Sequence, residues 1–279
     1  MGSAVAWGIA DYAGGIVSRR IPALWTSIGM QLVGTAAFIA ALVVLDRWPR
    51  LDPGVVPWGI GLAALGAASL VMLYRGLALG PIAVVSPVVA GYTAVTVLLL
   101  VVFLGERVTA GEAVAIGVTF AGVLLASTDL RHVVALIGRP LPGVPSGVVA
   151  MLGFGAWSAL MALAVRSQDQ MALILVGRLA GFAFMVLIAI ALRSSPPADR
   201  RPGTLALVAT VGLFDTAANV LFVVGLASGE ATIVATASGL YPVLPALLAI
   251  VFLGERLAPN QYLGVVVLIG GLLGLGLQR

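Results

Sequence analysis

Cysteine is absent from the 279 residues, lysine is absent too, and histidine occurs once. Without cysteine there is no disulfide, no thiolate metal site and no cysteine nucleophile. The lone His132 falls in a central polar stretch, where its plain reading is a solvated loop residue, because one histidine supplies no metal site. Charge is scarce as well. Only 9% of residues are charged, against about 25% in soluble domains, so this surface cannot face water on every side. All fifteen cations are arginines, placed singly or in pairs. They form no basic stripe able to track phosphates, so the pI near 10.1 does not point to nucleic acid. No basic segment precedes the first apolar run, which argues against a cleaved signal peptide.

What remains is 61% hydrophobic and rich in glycine, with 35 of them. Small residues let helices approach closely in lipid. A bilayer core takes about 20 predominantly apolar residues per helix, and only helices or closed barrels satisfy their backbones there. The apolar runs are long and continuous rather than alternating, which selects helices. Ten are expected, at 3–17, 24–45, 57–79, 82–104, 109–128, 145–165, 171–192, 204–227, 231–253 and 259–277. The first is short for a full span, so it starts late or continues a segment upstream. Pro22 closes the turn after the first run, and Trp48 and Trp58 stand where interfacial anchors belong. Pro87, Pro242 and Pro245 fall within runs and are expected to kink them.

The chain repeats itself. Gly76-Leu77-Ala78-Leu79-Gly80 matches Gly225-Leu226-Ala227-Ser228-Gly229 at an offset of 149 residues. Val102-Phe103-Leu104-Gly105-Glu106-Arg107 matches Val251-Phe252-Leu253-Gly254-Glu255-Arg256 at the same offset, as does Tyr92 with Tyr241. Such self-similarity marks a duplication. The expected layout is residues 1–129, a connecting loop at 130–144 and residues 145–279. Five helices per unit start and end on opposite sides, so the second unit enters the membrane inverted. Secondary transporters share this arrangement, with the substrate site near the midplane between halves.

The turn after the fourth run is also readable. Gly105 suits a helix C-terminus, Thr109-Ala110-Gly111-Glu112 spells a capping box, and Pro259 suits a first helical position. Glu106-Arg107 and Glu255-Arg256 read as structural turns and interface anchors, with a direct role in transport as the alternative.

Phe-Leu-Gly-Glu-Arg closing an apolar helix, repeated once, resembles the EamA-type family of the drug/metabolite transporter superfamily. Trp7-Gly8-Ile9-Ala10-Asp11-Tyr12-Ala13-Gly14-Gly15 with Ser18-Arg19-Arg20 is similar to one bacterial branch, and Tyr241-Pro242-Val243 fits too. The resemblance spans the whole chain. It implies an all-α membrane protein of ten helices, two inverted five-helix repeats and a central cavity. It implies movement of a small organic metabolite (an amino acid, a related metabolite or a drug) across the bacterial cytoplasmic membrane by alternating access. Export is the expected direction. No cofactor is expected, and the state is a monomer or homodimer. Two departures stand out. The family's second-helix arginine is Arg178 in the second copy, while the aligned first-copy position holds Gln31. The family keeps both termini in the cytoplasm, yet loops on that side carry five arginines against eight opposite, which favours the reverse by the positive-inside rule.

Ionisable groups within spans cost about 2.5–3.5 kcal/mol at a helix centre and so face a cavity or a partner. Asp215 lies mid-helix with Asn219 one turn later on the same face. The pair could bind an ammonium or carry a coupling proton, or it could hold helices together. Arg178 could bind a substrate carboxylate or pair with Asp215. Asp11, with Tyr12 beside it and Trp7 one turn before, could serve transport or meet water at a shallow helix start. Arg75 is near enough to Gly80 to snorkel. Tyr92 and Tyr241 suit a cavity wall, each offering an apolar ring and a hydroxyl, although plain packing would keep them equally well. Asp11, Tyr12, Gln31, Tyr92, Arg178, Asp215, Asn219 and Tyr241 are therefore the candidates for substrate binding or coupling. Proton coupling would run through Asp215 or Asp11, and an uncoupled facilitator is the alternative. An intramembrane enzyme would need a metal cluster or activated nucleophile, and no His-Glu-x-x-His or Gly-x-Ser-x-Gly pattern occurs.

Overall fold

The computed structural model describes residues 2–104, 109–127, 141–227, 238, 241 and 243–277. Among them are eleven helices and no strand: α1 (Gly2–Ser18), α2 (Ala23–Val44), α3 (Val55–Leu79), α4 (Ile82–Ala90), α5 (Tyr92–Leu104), α6 (Ala110–Ser127), α7 (Val144–Ala164), α8 (Gln170–Ala191), α9 (Pro202–Ala227), α10 (Val243–Leu253) and α11 (Pro259–Leu277). Six stretches are long and apolar enough to cross a membrane: α2, α3, α7, α8, most of α9, and residues 82–102, which combine α4 with most of α5. The remaining apolar helices are shorter.

The helix ends follow from local chemistry. Asp169 caps α8, its carboxylate accepting the Ala172 N–H at 2.8 Å. Thr109 and Glu112 form the reciprocal box that their spacing spells. Glu112 accepts the Thr109 N–H at 2.8 Å, and Thr109 Oγ1 accepts the Glu112 N–H at 3.2 Å. Gln261 does the same one repeat later, accepting the Ala258 N–H at 2.8 Å, and Pro259 opens α11. α2 and α8 end alike. Asp46 and Arg193, 147 residues apart, both adopt left-handed φ (48° and 47°). The next residues, Arg47 and Ser194, send their N–H groups back to Leu42 and Ala189 at 3.0 and 2.9 Å. Gly254 has φ 64° beyond α10, a conformation in which a side chain would be strained.

One expected helix is interrupted. The fourth run divides at Gly91 into α4 and α5, and the Gly91 N–H turns tightly back to Val88 O at 3.1 Å. Pro87 lacks the N–H that the Ala83 carbonyl would accept, which weakens the turn before the break. Pro245 instead sits in the first turn of α10, where a proline costs little. Pro242, Gly105, Glu106, Arg107, Asp129 and His132 lie outside the described residues, as does most of the start of the ninth run.

Several helix contacts recur when the first half of the chain is exchanged for the second. α6 lies along α11 and α2 meets α8, while α1 packs on α9 as α3 packs on α7, and α2 on α9 as α3 on α8. The α6–α11 seam is built on missing side chains. A Cβ at Gly122 would strike the Leu268 backbone, and one at Gly271 would strike the Thr119 backbone. Gly8 and Gly155 likewise let α1 and α7 press against the carbonyls of Tyr241 and Tyr92, with room for a Cβ only 3.1 Å away in each case. Outward faces are apolar. Val102 and Val251, equivalent under the repeat, are each 70% exposed.

Two apolar clusters bracket the bundle lengthwise. One, around Val17, Met30, Tyr74, Leu77, Ile82 and Val85, lies toward the ends of α1 and α3. The other, around Phe38, Leu62, Met161, Leu173 and Phe222, lies toward the opposite end. Loops confirm which ends adjoin. Trp25 Nε1 donates to Ser194 Oγ at 3.0 Å at one end, and Gly54 abuts the Gln168 side chain at the other.

Candidate functional site

Between the clusters lies a cavity of about 160 Å³, walled by α1, α2, α3, α7, α8 and α9 together with Tyr92 and Tyr241. Seven of the eight residues singled out from sequence line it: Asp11, Gln31, Tyr92, Arg178, Asp215, Asn219 and Tyr241. Tyr12 does not. Its ring packs on the cluster around Val17 and Tyr74, because the next residue on a helix is turned about 100° from its neighbour. Arg75 is exposed on α3, clear of the cavity.

Arg178 is the centre of one polar group. Nη1 donates to Gln31 Oε1 at 3.0 Å and Nη2 to Asp215 Oδ2 at 2.8 Å. Asn219 Nδ2 in turn donates to Asp215 Oδ1 at 3.1 Å and to the Asp215 carbonyl at 2.8 Å. Thus α2, α8 and α9 are tied together at mid-depth. The guanidinium is buried, and its Nε has no partner among the described residues. A buried donor left open costs about 1–3 kcal/mol unless something completes it.

Asp11 is a separate feature. It is 5% exposed and accepts the Ser86 hydroxyl at 3.2 Å from α4. Beside it runs a line of aromatic rings. Trp7 stands 5.2 Å from Phe222 and 6.1 Å from Tyr241, which stands 6.4 Å from Tyr92 (centroid to centroid). The Tyr92 hydroxyl is buried and unpaired among the described residues. Ser86 was not a sequence candidate; the available signal was a lone hydroxyl inside an apolar run, one residue before a helical proline. Trp157 and Phe154 also line the cavity, and a mid-span tryptophan, away from the interfaces where they gather, was the clue to the first.

At one end of the bundle Glu255 forms a second polar knot. Its Oε1 accepts Arg19 Nη2 at 2.8 Å and the Ile82 N–H at 3.1 Å, and its Oε2 accepts the Ala83 N–H at 2.9 Å. Arg19 Nη2 also reaches the Gly80 carbonyl at 3.1 Å. The carboxylate therefore caps α4 from the turn that follows α10, where anions are favoured by the helix dipole. Among the described residues no three His, Cys, Asp or Glu side chains gather to hold a metal.

The model of the EamA-like transporter family matches residues 1–128 and 141–277. The chain belongs to that family. This places the EamA-like protein in the drug/metabolite transporter superfamily and makes it a multi-pass membrane protein, in accord with its apolar helices. A crystal structure of a protein 19% identical superposes over 100% of this chain and 99% of its own length, with a TM-score of 0.67. At that identity the likeness concerns the fold alone. No curated protein matches the EamA-like chain in sequence.

Proposed function

We propose that this chain is a secondary transporter that carries a small organic metabolite across the cytoplasmic membrane by alternating access. Its ten spans form two inverted five-helix repeats, 1–129 and 145–279, joined by the loop between them. The single observation that carries the reading is a mid-bundle cavity into which Asp11, Arg178 and Asp215 all project, with the guanidinium bound to Gln31, its counterpart in the other half. Buried charge at that depth is costly and marks a substrate or ion path. The exchange symmetry of the helix packing supports the inverted repeat.

Alternating access needs contacts between halves that form at one face and release when that face opens. The Arg19–Glu255–α4 knot is such a contact, linking the ends of α1 and α4 to the turn between α10 and α11. Export coupled to proton entry is the working direction, with Asp11 and Asp215 as the carboxylates able to take up the proton. Flux through proteoliposomes, with and without a pH gradient, tests it. Gradient-dependent flux that Asp11→Asn or Asp215→Asn abolishes upholds coupled transport. Equal flux under both conditions makes the protein a facilitator, and no flux with any small organic solute removes the transport reading.

A further inference from the structure

Among the described residues the charges around the cavity do not balance. Asp11, Arg178 and Asp215 are the charged ones that line it, and Arg178 is committed to Asp215 at 2.8 Å. Asp11 meets no cation among the described residues and has only the Ser86 hydroxyl at 3.2 Å. A buried carboxylate without a counter-charge is relieved either by taking up a proton or by pairing with a cation, so the same group can exchange one for the other. An anionic cargo would add a third negative charge to this space. A cationic cargo would complete it.

The surroundings decide which cation. A sodium or calcium ion needs several oxygens to replace its water shell, whereas among the described residues Asp11 is hydrogen-bonded only to the Ser86 hydroxyl, and Trp7, Tyr92 and Tyr241 line the cavity it shares. Trp7, one turn before Asp11 on α1, and Tyr241, 6.1 Å from Trp7, present aromatic surface to the same cavity. A carboxylate among aromatic faces is the environment that holds organic ammonium groups. A cavity of about 160 Å³ is close to the roughly 150 Å³ that accepts one benzene ring. We propose that Asp11, Trp7 and Tyr241 form a subsite for the ammonium group of a small organic amine, with a body of about one ring seated against the remaining aromatic wall. The proposal deepens the transporter reading and rests on it for the word cargo, but not for the binding site.

The test uses the purified full chain in detergent and four probes that share one ring: benzylammonium, benzyltrimethylammonium, benzyl alcohol and benzoate. Calorimetric titration should show both ammonium probes binding about tenfold or more tighter than the alcohol, and benzoate weakest. Asp11→Asn should erase the ammonium preference, Asp11→Glu should keep most of it, and Trp7→Leu should weaken benzyltrimethylammonium more than the alcohol. Should Asp11→Asn fail to fold, Trp7→Leu and Ser86→Ala carry the comparison. The subsite is wrong if the alcohol or benzoate binds as tightly as benzylammonium, or if Asp11→Asn retains the preference. Flux separates the two readings. Preferential ammonium binding with no flux of any small organic solute, these probes included, sinks the transporter and leaves the subsite. Benzoate flux without ammonium binding sinks the subsite and leaves the transporter.

Discussion

Arg178 donates a 3.0 Å hydrogen bond to Gln31, the residue aligned with it in the sequence repeat. Under the proposed inverted repeat, two equivalent positions can touch only near the axis that relates the halves. There the pair is one charge and one neutral amide, which avoids two facing guanidinium groups. The remaining charge is answered by Asp215 from α9.

That arrangement makes the pair fragile to single changes. Arg178→Leu leaves the partly buried Asp215 without its cation and should cost about 2–4 kcal/mol, somewhat less than a fully buried pair. The double variant Arg178→Leu with Asp215→Leu should recover much of that stability while remaining inactive in flux. Thermal unfolding in detergent, run beside the flux assay, checks both statements. A double variant no more stable than Arg178→Leu would mean that the ion pair is not what the single change removes.

Glu255 and Arg19 should differ in weight although they touch. The Arg19 side chain is 36% exposed, so its ion pair is worth under about 1 kcal/mol. Glu255 also satisfies two N–H groups at the start of α4, and Glu255→Ala should cost about 1–2 kcal/mol. Arg19→Gln should be milder in the same melting experiment. Equal effects would show that the ion pair, and not the cap, dominates.

The seam between α6 and α11 offers a contrast within one helix. Gly122→Ala forces a methyl into the Leu268 backbone and should destabilise by about 1–3 kcal/mol. Gly117 has open space around it, so Gly117→Ala should gain about 0.5–1 kcal/mol from helix propensity. Melting midpoints that move in the same direction for both would refute the close approach.

Since the natural chain has no cysteine, single cysteines report topology without background. Asp52→Cys and Gln168→Cys should label together from one face, and Arg20→Cys and Ser195→Cys together from the other, as the adjoining loops require. With cytoplasmic termini, the second pair reacts with an impermeant reagent outside intact cells. The opposite pattern would side with the arginine distribution.

Much of this was legible in the amino acids alone. The six long apolar stretches, the caps at Thr109 and Pro259, and the pairing of Gln31 with Arg178 depend on neighbours a few residues away or on the sequence repeat, and a linear chain displays both. The break at Gly91 was less visible, since a proline announces a disturbance without saying where the helix gives way. What only the tertiary structure decided are the long-range meetings. Ser86 reaches Asp11 across 75 residues, Glu255 caps a helix 172 residues before it, and Tyr12 turns from the cavity while Asp11 enters it. The reason is physical. Burial and helix period select which residues must avoid lipid, but partner choice depends on how helices rotate and cross once their small residues have let them close.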